Sequence, residues 1–268
     1  MIFQKIFQFV HFLYFVLILG TLILIAFPIT LIVSFFSQKV IDFWMFHQMK
    51  LSANILLFTT GLIPTNLFRK KVDFSKTYII IPNHSSYLDA VNIYTAMPKI
   101  FKSLGKKELE NVPVYGTIFK TVCISIDRSS LKARALSFRK MKAELERGIS
   151  ILIFPEGTFP DEPRNDLLPF LDGCFSLAIM QQVELLPVLF QDSSNRIHPS
   201  NILKISIGKN RSIFLPPIST NQLQKDDIEK LKLFTQNYMQ SCKDFLAGNE
   251  PSQLWNYAME YQKNHSIL

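Results

Sequence analysis

The run Asn83-His84-Ser85-Ser86-Tyr87-Leu88-Asp89 carries an imidazole and a carboxylate five residues apart. A histidine with one ring nitrogen held by a carboxylate keeps a fixed tautomer and offers the other nitrogen as a base. On one continuous helix, a spacing of five turns the two side chains about 140° apart. The pair therefore needs a break, with His84 in a loop and Asp89 on a helix that Ser85 or Ser86 caps. The β-type run Tyr78 to Ile81, ended by Pro82-Asn83, puts that loop at the end of a strand. Taken alone, the spacing suits an ordinary structural histidine near a helix start equally well.

Two more segments join groups that bind ligands to a strand end. In Phe154-Pro155-Glu156-Gly157-Thr158, glycine lets backbone approach a ligand, and Glu and Thr supply an acceptor and a hydroxyl. In Ile124-Ser125-Ile126-Asp127-Arg128, the Arg is a natural bidentate partner for phosphate. Each has a plain structural reading, as a turn or as a surface Arg beside Asp127. There is no G-x-S-x-G nucleophile elbow, no G-x-G-x-x-G loop and no metal-ligand spacing.

The elements that must position these groups alternate in type. Strands are expected at Tyr78–Ile81, Cys123–Ile126, Ile149–Phe154 and Leu185–Phe190. A hairpin is expected from Ile202–Ile207 and Ser212–Leu215 about Gly208-Lys209-Asn210. Helices are expected over Leu88–Met97, across Leu131, Ala135, Phe138, Met141 and Leu145 up to Gly148, over Phe175–Ile179, and late in the chain from Ile228 to Phe245. Such alternation predicts an α/β domain with a central, mostly parallel sheet flanked by helices, whose chemistry collects beyond the carboxyl ends of the strands.

Ahead of this domain lies an apolar stretch, Ile6 to Phe36, with no charge between Lys5 and Lys39. It exceeds the roughly 20 residues a helix needs to cross a bilayer, and no signal-peptide cleavage site follows. Gly20 and Pro28 are points where it could split into two re-entrant helices. Ile41 to Ile63 is apolar again, with Trp44 and Lys50 suited to an interface. Arg69, Lys70, Lys71 and Lys76 follow, which predicts that the rest of the chain faces the cytoplasm. The division is thus residues 1–65, a membrane-associated helical segment, and 66–268, the α/β domain. Cys123, Cys174 and Cys242 show no pairing pattern and fit a reducing compartment.

The net charge of +8 is concentrated, with 12 Lys or Arg against 5 Asp or Glu between Lys99 and Arg147. Such a block attracts anionic headgroups or phosphorylated ligands. It contains no recognised nucleic-acid module, so nucleic acid is not an expected partner.

Taken together and in order, the blocks resemble the lysophosphatidate (1-acylglycerol-3-phosphate) acyltransferase family of the glycerolipid acyltransferase superfamily. Asn83-His84 through Asp89 resembles its N-H-x4-D block. Gly105-Lys106-Lys107-Glu108-Leu109, Pro113, Gly116 and Ile126-Asp127-Arg128 resemble the second block, Phe154 to Thr158 the third, and Val183 to Val188 the fourth. The resemblance covers about residues 75–190. It implies that His84 takes the proton of an acceptor hydroxyl while Asp89 orients the ring. Lys106, Arg128, Glu156, Gly157 and Thr158 would hold a glycerol phosphate. The implied partners are a lysophospholipid acceptor, acyl-CoA or acyl carrier protein as co-substrate, and membrane lipid. No cofactor or metal is implied, and the place is the cytoplasmic face of the inner membrane.

The sequence departs from the family at Phe159, where many members carry Arg, and at Leu171, where a basic residue is common. Arg164 is a nearby substitute. The departures keep open another lysolipid acceptor, including an aminolipid. A non-catalytic membrane-docked binder of anionic lipid and a lipid hydrolase are the readings from other classes.

Overall fold

The computed structural model describes residues 2–127, 130–162, 164–265 and 267. Nine helices are described: α1 (Ile2–Val33), α2 (Gln38–Thr59), α3 (Asp89–Ala96), α4 (Tyr115–Val122), α5 (Leu131–Glu146), α6 (Gly173–Gln181), α7 (Ser193–Arg196), α8 (Ile228–Gly248) and α9 (Leu254–Asn264). The seven strands are β1 (Leu62–Leu67), β2 (Ile79–Pro82), β3 (Phe101–Lys106), β4 (Cys123–Ile126), β5 (Ser150–Leu152), β6 (Leu185–Phe190) and β7 (Gly208–Phe214).

They form one sheet in the order β1-β7-β6-β2-β5-β3-β4, parallel throughout except where β6 meets β7. This is the mostly parallel α/β sheet that the strand–helix alternation predicts. The central strand, β2, lies between β6 and β5. Its side chains alternate between two cores. Ile79 and Ile81 pack with Met141, Leu177 and Tyr238 from α5, α6 and α8. Tyr78 and Ile80 pack with Phe46, Ile93 and Met97 on the side of α2 and α3. Each such fully buried aliphatic side chain contributes about 1.5–3 kcal/mol relative to exposure. Burial on both faces is what holds β2, and therefore the loop that follows it, in one place.

The expected hairpin is not formed. Gly208, Lys209 and Asn210 are the first residues of β7, which pairs in parallel with β1 from Leu62↔Gly208 to Leu67↔Ile213. Residues 202–207 instead form a loop whose Ile205 is buried with Leu57 and Leu62. Gly208, at φ +133°, makes the bend and donates its N–H to the Gly61 carbonyl at 2.9 Å. Pairing with a distant strand outweighs the local turn signal. β5 is also shorter than its apolar run, because Phe154 leaves the sheet to pack elsewhere.

α1 passes through Pro28 without a break; the Thr30 hydroxyl donates to the Ala26 carbonyl at 2.9 Å across that turn. From Lys5 to Val33 the helix is long and apolar enough to cross a membrane, and only 17% of its most apolar stretch is buried. α2 returns beside it. Trp44 is exposed, but Lys50 turns inward and donates to the Met97 carbonyl at 2.6 Å, at the end of α3. It braces a helix end instead of sitting at an interface.

One buried ion cluster ties these two helices to the sheet. Asp42 of α2 meets Lys102 of β3 at 2.7 Å and Arg147, just past α5, at 2.6 Å. Removing one partner of a buried pair leaves the other charge uncompensated. Asp42→Ala is expected to destabilise the protein by about 3–5 kcal/mol. Asp42→Ala combined with Lys102→Met should recover part of that loss in denaturant unfolding. A single-variant loss well under 1 kcal/mol would contradict this role.

Candidate active site

The strand ends β2, β5, β3 and β4 point to the same edge of the sheet, and the candidate residues lie along it. β2 ends at Pro82, and Asn83 fixes the exit. Its side-chain oxygen accepts the Phe190 N–H at 2.7 Å, and its amide donates to the Phe190 carbonyl at 3.3 Å. The loop then turns so that Asp89 opens α3.

The His84 Nδ1–H donates to Asp89 Oδ2 at 3.1 Å. The same oxygen accepts the backbone N–H groups of Ser85 at 2.7 Å and Ser86 at 2.9 Å. Asp89 is 0% exposed. A carboxylate that already accepts two backbone N–H bonds can only accept from the ring, so the proton sits on Nδ1 and the lone pair on Nε2. The first turn of α3 adds a favourable dipole for the carboxylate. No serine caps α3, contrary to expectation: the carboxylate itself gathers the loop. The Ser86 hydroxyl donates to the Ile197 carbonyl at 2.6 Å and accepts the Leu88 N–H at 3.1 Å.

The imidazole is 15% exposed, and its Nε2 is neither buried nor hydrogen-bonded among the described residues. Phe154 stacks on the ring at 3.7 Å between centroids, tilted 18°. Phe159 lies 4.1 Å away at 43°, and Tyr87 meets Phe159 edge-on at 4.7 Å. A base held in one tautomer, with one nitrogen open, can take a proton from a hydroxyl or from water.

Glu156 is buried and holds the site from behind. Its Oε1 accepts the His84 N–H at 2.7 Å, and its Oε2 accepts the Leu168 N–H at 2.8 Å. Burial pushes its carboxyl above the usual carboxylate range, although both N–H bonds pull the other way. Both oxygens are thus engaged with backbone, and the side chain clamps the His84 loop. Gly157 turns at φ +70° and donates its N–H to the Phe154 carbonyl at 3.1 Å. Thr158 is exposed beyond it, at the rim of an open cleft of about 660 Å³ that Phe159, Asp161, Glu162, Arg164 and Leu168 also line.

Lys106 is exposed at the end of β3, two strands from β2, or about 10 Å across the sheet. Arg128 lies outside the described residues. The second-block glycines are there for packing: a Cβ on Gly105 would meet the Phe119 ring at 2.5 Å, and one on Gly116 would collide with the Glu110 carbonyl oxygen. Phe154, Tyr87, Asn83 and Ser86 were not among the residues expected to act. Each sits inside or beside a motif block, which was the available signal.

A family model described as Acyltransferase matches residues 64–191. The chain is 32% identical to the 1-acyl-sn-glycerol-3-phosphate acyltransferase of Escherichia coli (strain K12) over 60% of its length and 65% of that protein. It is 28% identical to the mouse 1-acyl-sn-glycerol-3-phosphate acyltransferase alpha over 59% of this chain and 55% of that one. The chain is thus similar to 1-acyl-sn-glycerol-3-phosphate acyltransferases over about three fifths of its length. Its alignments span less than two thirds of either relative. The fold is also that of the crystal structure of the 1-acyl-sn-glycerophosphate acyltransferase PlsC from Thermotoga maritima, with a TM-score of 0.74 and 19% identity over 92% of this chain and 99% of that one.

The Glu156 clamp has a measurable signature. A carboxyl whose folded-state pKa is raised above the ordinary 4.5 loses stability as pH rises from that value through the folded one. The stability of the wild type relative to Glu156→Gln is therefore expected to fall over that window in denaturant unfolding. A difference that stays constant with pH would contradict the burial effect.

Proposed function

We propose that this protein transfers a fatty acyl group from acyl-CoA or acyl carrier protein to the free hydroxyl of 1-acylglycerol-3-phosphate, giving phosphatidate for phospholipid synthesis. The observation that carries the reading is the His84 ring, held through Nδ1 by a buried carboxylate with Nε2 open. The similarity to 1-acyl-sn-glycerol-3-phosphate acyltransferases supports this chemistry, and this geometry can perform it.

In the proposed reaction, His84 Nε2 takes the hydroxyl proton as the oxygen attacks the thioester carbonyl. Asp89 stabilises the resulting imidazolium. Collapse of the tetrahedral intermediate breaks the C–S bond, and the proton passes from Nε2 to the departing thiolate. No covalent acyl-enzyme is needed. Glu156 positions His84 through the backbone, while Lys106, Arg128, Gly157 and Thr158 would bind the acceptor's phosphate. α1 anchors the chain to the membrane. The cluster Arg69, Lys70, Lys71 and Lys76 supports a site on the cytoplasmic face of the inner membrane.

A second acceptor class has specific support. Phe159 and the exposed Leu171 occupy positions where a phosphate-binding cation is common in the family. Another lysophospholipid, or a lyso-aminolipid, is therefore the alternative acceptor for the same chemistry.

The test uses purified full-length protein in detergent with acyl-CoA or acyl carrier protein and a panel of lysolipids. Transfer to lysophosphatidate is expected, as is rescue of cells lacking their own lysophosphatidate acyltransferase, with phosphatidate accumulating. No transfer to any acceptor would overturn the reading. His84→Ala is expected to lower turnover by about 10²–10⁴ while the protein still folds cooperatively; near-normal turnover would remove His84 as the base.

A further inference from the structure

The same base would serve water as readily as a lipid hydroxyl. If water attacked the thioester, Nε2 would take its proton, the C–S bond would break, and the thiolate would recover the proton. The products would be free fatty acid and thiol. A transferase must therefore limit the approach of water to this nitrogen, and the site contains a group that covers one side of that approach.

Phe154 and Phe159 lie within 3.7 and 4.1 Å of the imidazole centroid. Two rings that close cannot share one face of a third, so they cover opposite faces. With Nδ1 turned to Asp89, only the edge carrying Nε2 is left, consistent with the low exposure of the ring. The two covers differ in origin. Phe154 follows Ile153, whose N–H donates to the Ile80 carbonyl of β2 at 2.9 Å, and is held by the sheet. Phe159 comes from the loop after Gly157, leans on Tyr87, and stands on the wall between the imidazole and the open cleft. Tyr87 is itself 56% exposed. Phe159 is thus an apolar partition between one face of the imidazole and the open cleft.

The geometry points to Phe159, backed by Tyr87, as the lid that excludes water from His84 and sets the partition between acyl transfer and thioester hydrolysis. Phe159 acts on His84 and is a positioning residue. It covers the face of the ring toward the cleft and leaves the Nε2 edge to an acceptor hydroxyl. This inference rests on the acyl-transfer reading.

The experiment follows labelled acyl-CoA with the full chain in detergent micelles, with and without lysophosphatidate, scoring diacyl product and free fatty acid separately. The wild type is expected to give mainly transfer, and little hydrolysis without acceptor. Phe159→Ala should raise the ratio of hydrolysis to transfer by about tenfold, the equivalent of about 1.4 kcal/mol between the two barriers. Phe159→Tyr should restore the wild-type ratio, and Tyr87→Ala should move it in the same direction by less. Phe159→Leu keeps the bulk of the position without the ring, should Phe159→Ala fold poorly, and is expected to raise the ratio by an intermediate amount. If Phe159→Ala and Phe159→Leu lower both products together and leave the ratio unchanged, the lid is overturned while acyl transfer stands. If the wild type itself yields only free fatty acid, the transfer reading falls and the lid with it.

Discussion

One oxygen atom organises this site. Asp89 Oδ2 accepts the His84 ring and two successive backbone N–H groups, from Ser85 and Ser86, in a place with no access to water. A buried carboxylate without such donors would be expelled or protonated. Here the demand for compensation shapes the chain: the loop must curl tightly enough to bring both amides onto a single atom. Once it does, the ring has one orientation. The loop can meet that demand only because both of its ends are fixed. Asn83 locks the exit of β2 to β6, and α3 begins on the carboxylate itself. The five-residue spacing is thus the length of a loop closed on the side chain at its end.

Glu156 repeats the device from the neighbouring strand. It reaches from the end of β5 to the His84 N–H and to the Leu168 N–H, joining the third block to the first through main chain. The blocks are contiguous here because β2 and β5 are adjacent and parallel, so their following residues emerge side by side. A glutamate that looks like a ligand for substrate in sequence is, in space, a ligand for the loop. Its unfavourable burial is tolerated because two otherwise orphaned amides would be worse.

Much of this was legible beforehand, and the failures have physical causes. β4 and β6 coincide with their apolar runs, and α5 with its 3–4 periodicity, because those segments are decided by local burial patterns. β1 was hidden within the apolar tail of α2, where hydropathy marks membrane affinity and strand alike. β3 was masked by its polar side chains, of which Lys102 is buried only because Asp42 arrives from α2. The hairpin at 208–210 failed because β7 finds a parallel partner some 150 residues away, which no local signal reports. In the site, the histidine and its carboxylate could be read from type and order. The direction of the capping interaction could not, since it depends on which loop atoms converge on Oδ2. Nor could the aromatic sandwich, which needs Phe154 to leave its strand.

The exposed apolar helices and the site are mechanically one unit. Phe12 and Phe15 of α1 pack into the cluster of Leu57, Leu62, Ile197, Ile205 and Leu88, the residue immediately before Asp89. Lys50 of α2 braces the far end of α3 at Met97, and the Asp42 cluster fixes α2 to β3, whose end carries Lys106. On the proposed reading this has a consequence for how an acceptor reaches the base. A lysolipid keeps its acyl chain among the helices and its hydroxyl near the headgroup layer. The loop bearing His84 is held by the same side chains that hold the helices, so its height relative to that layer is set by packing. A hydroxyl delivered at the height of that layer would reach Nε2, while Phe159 covers the ring toward the open cleft.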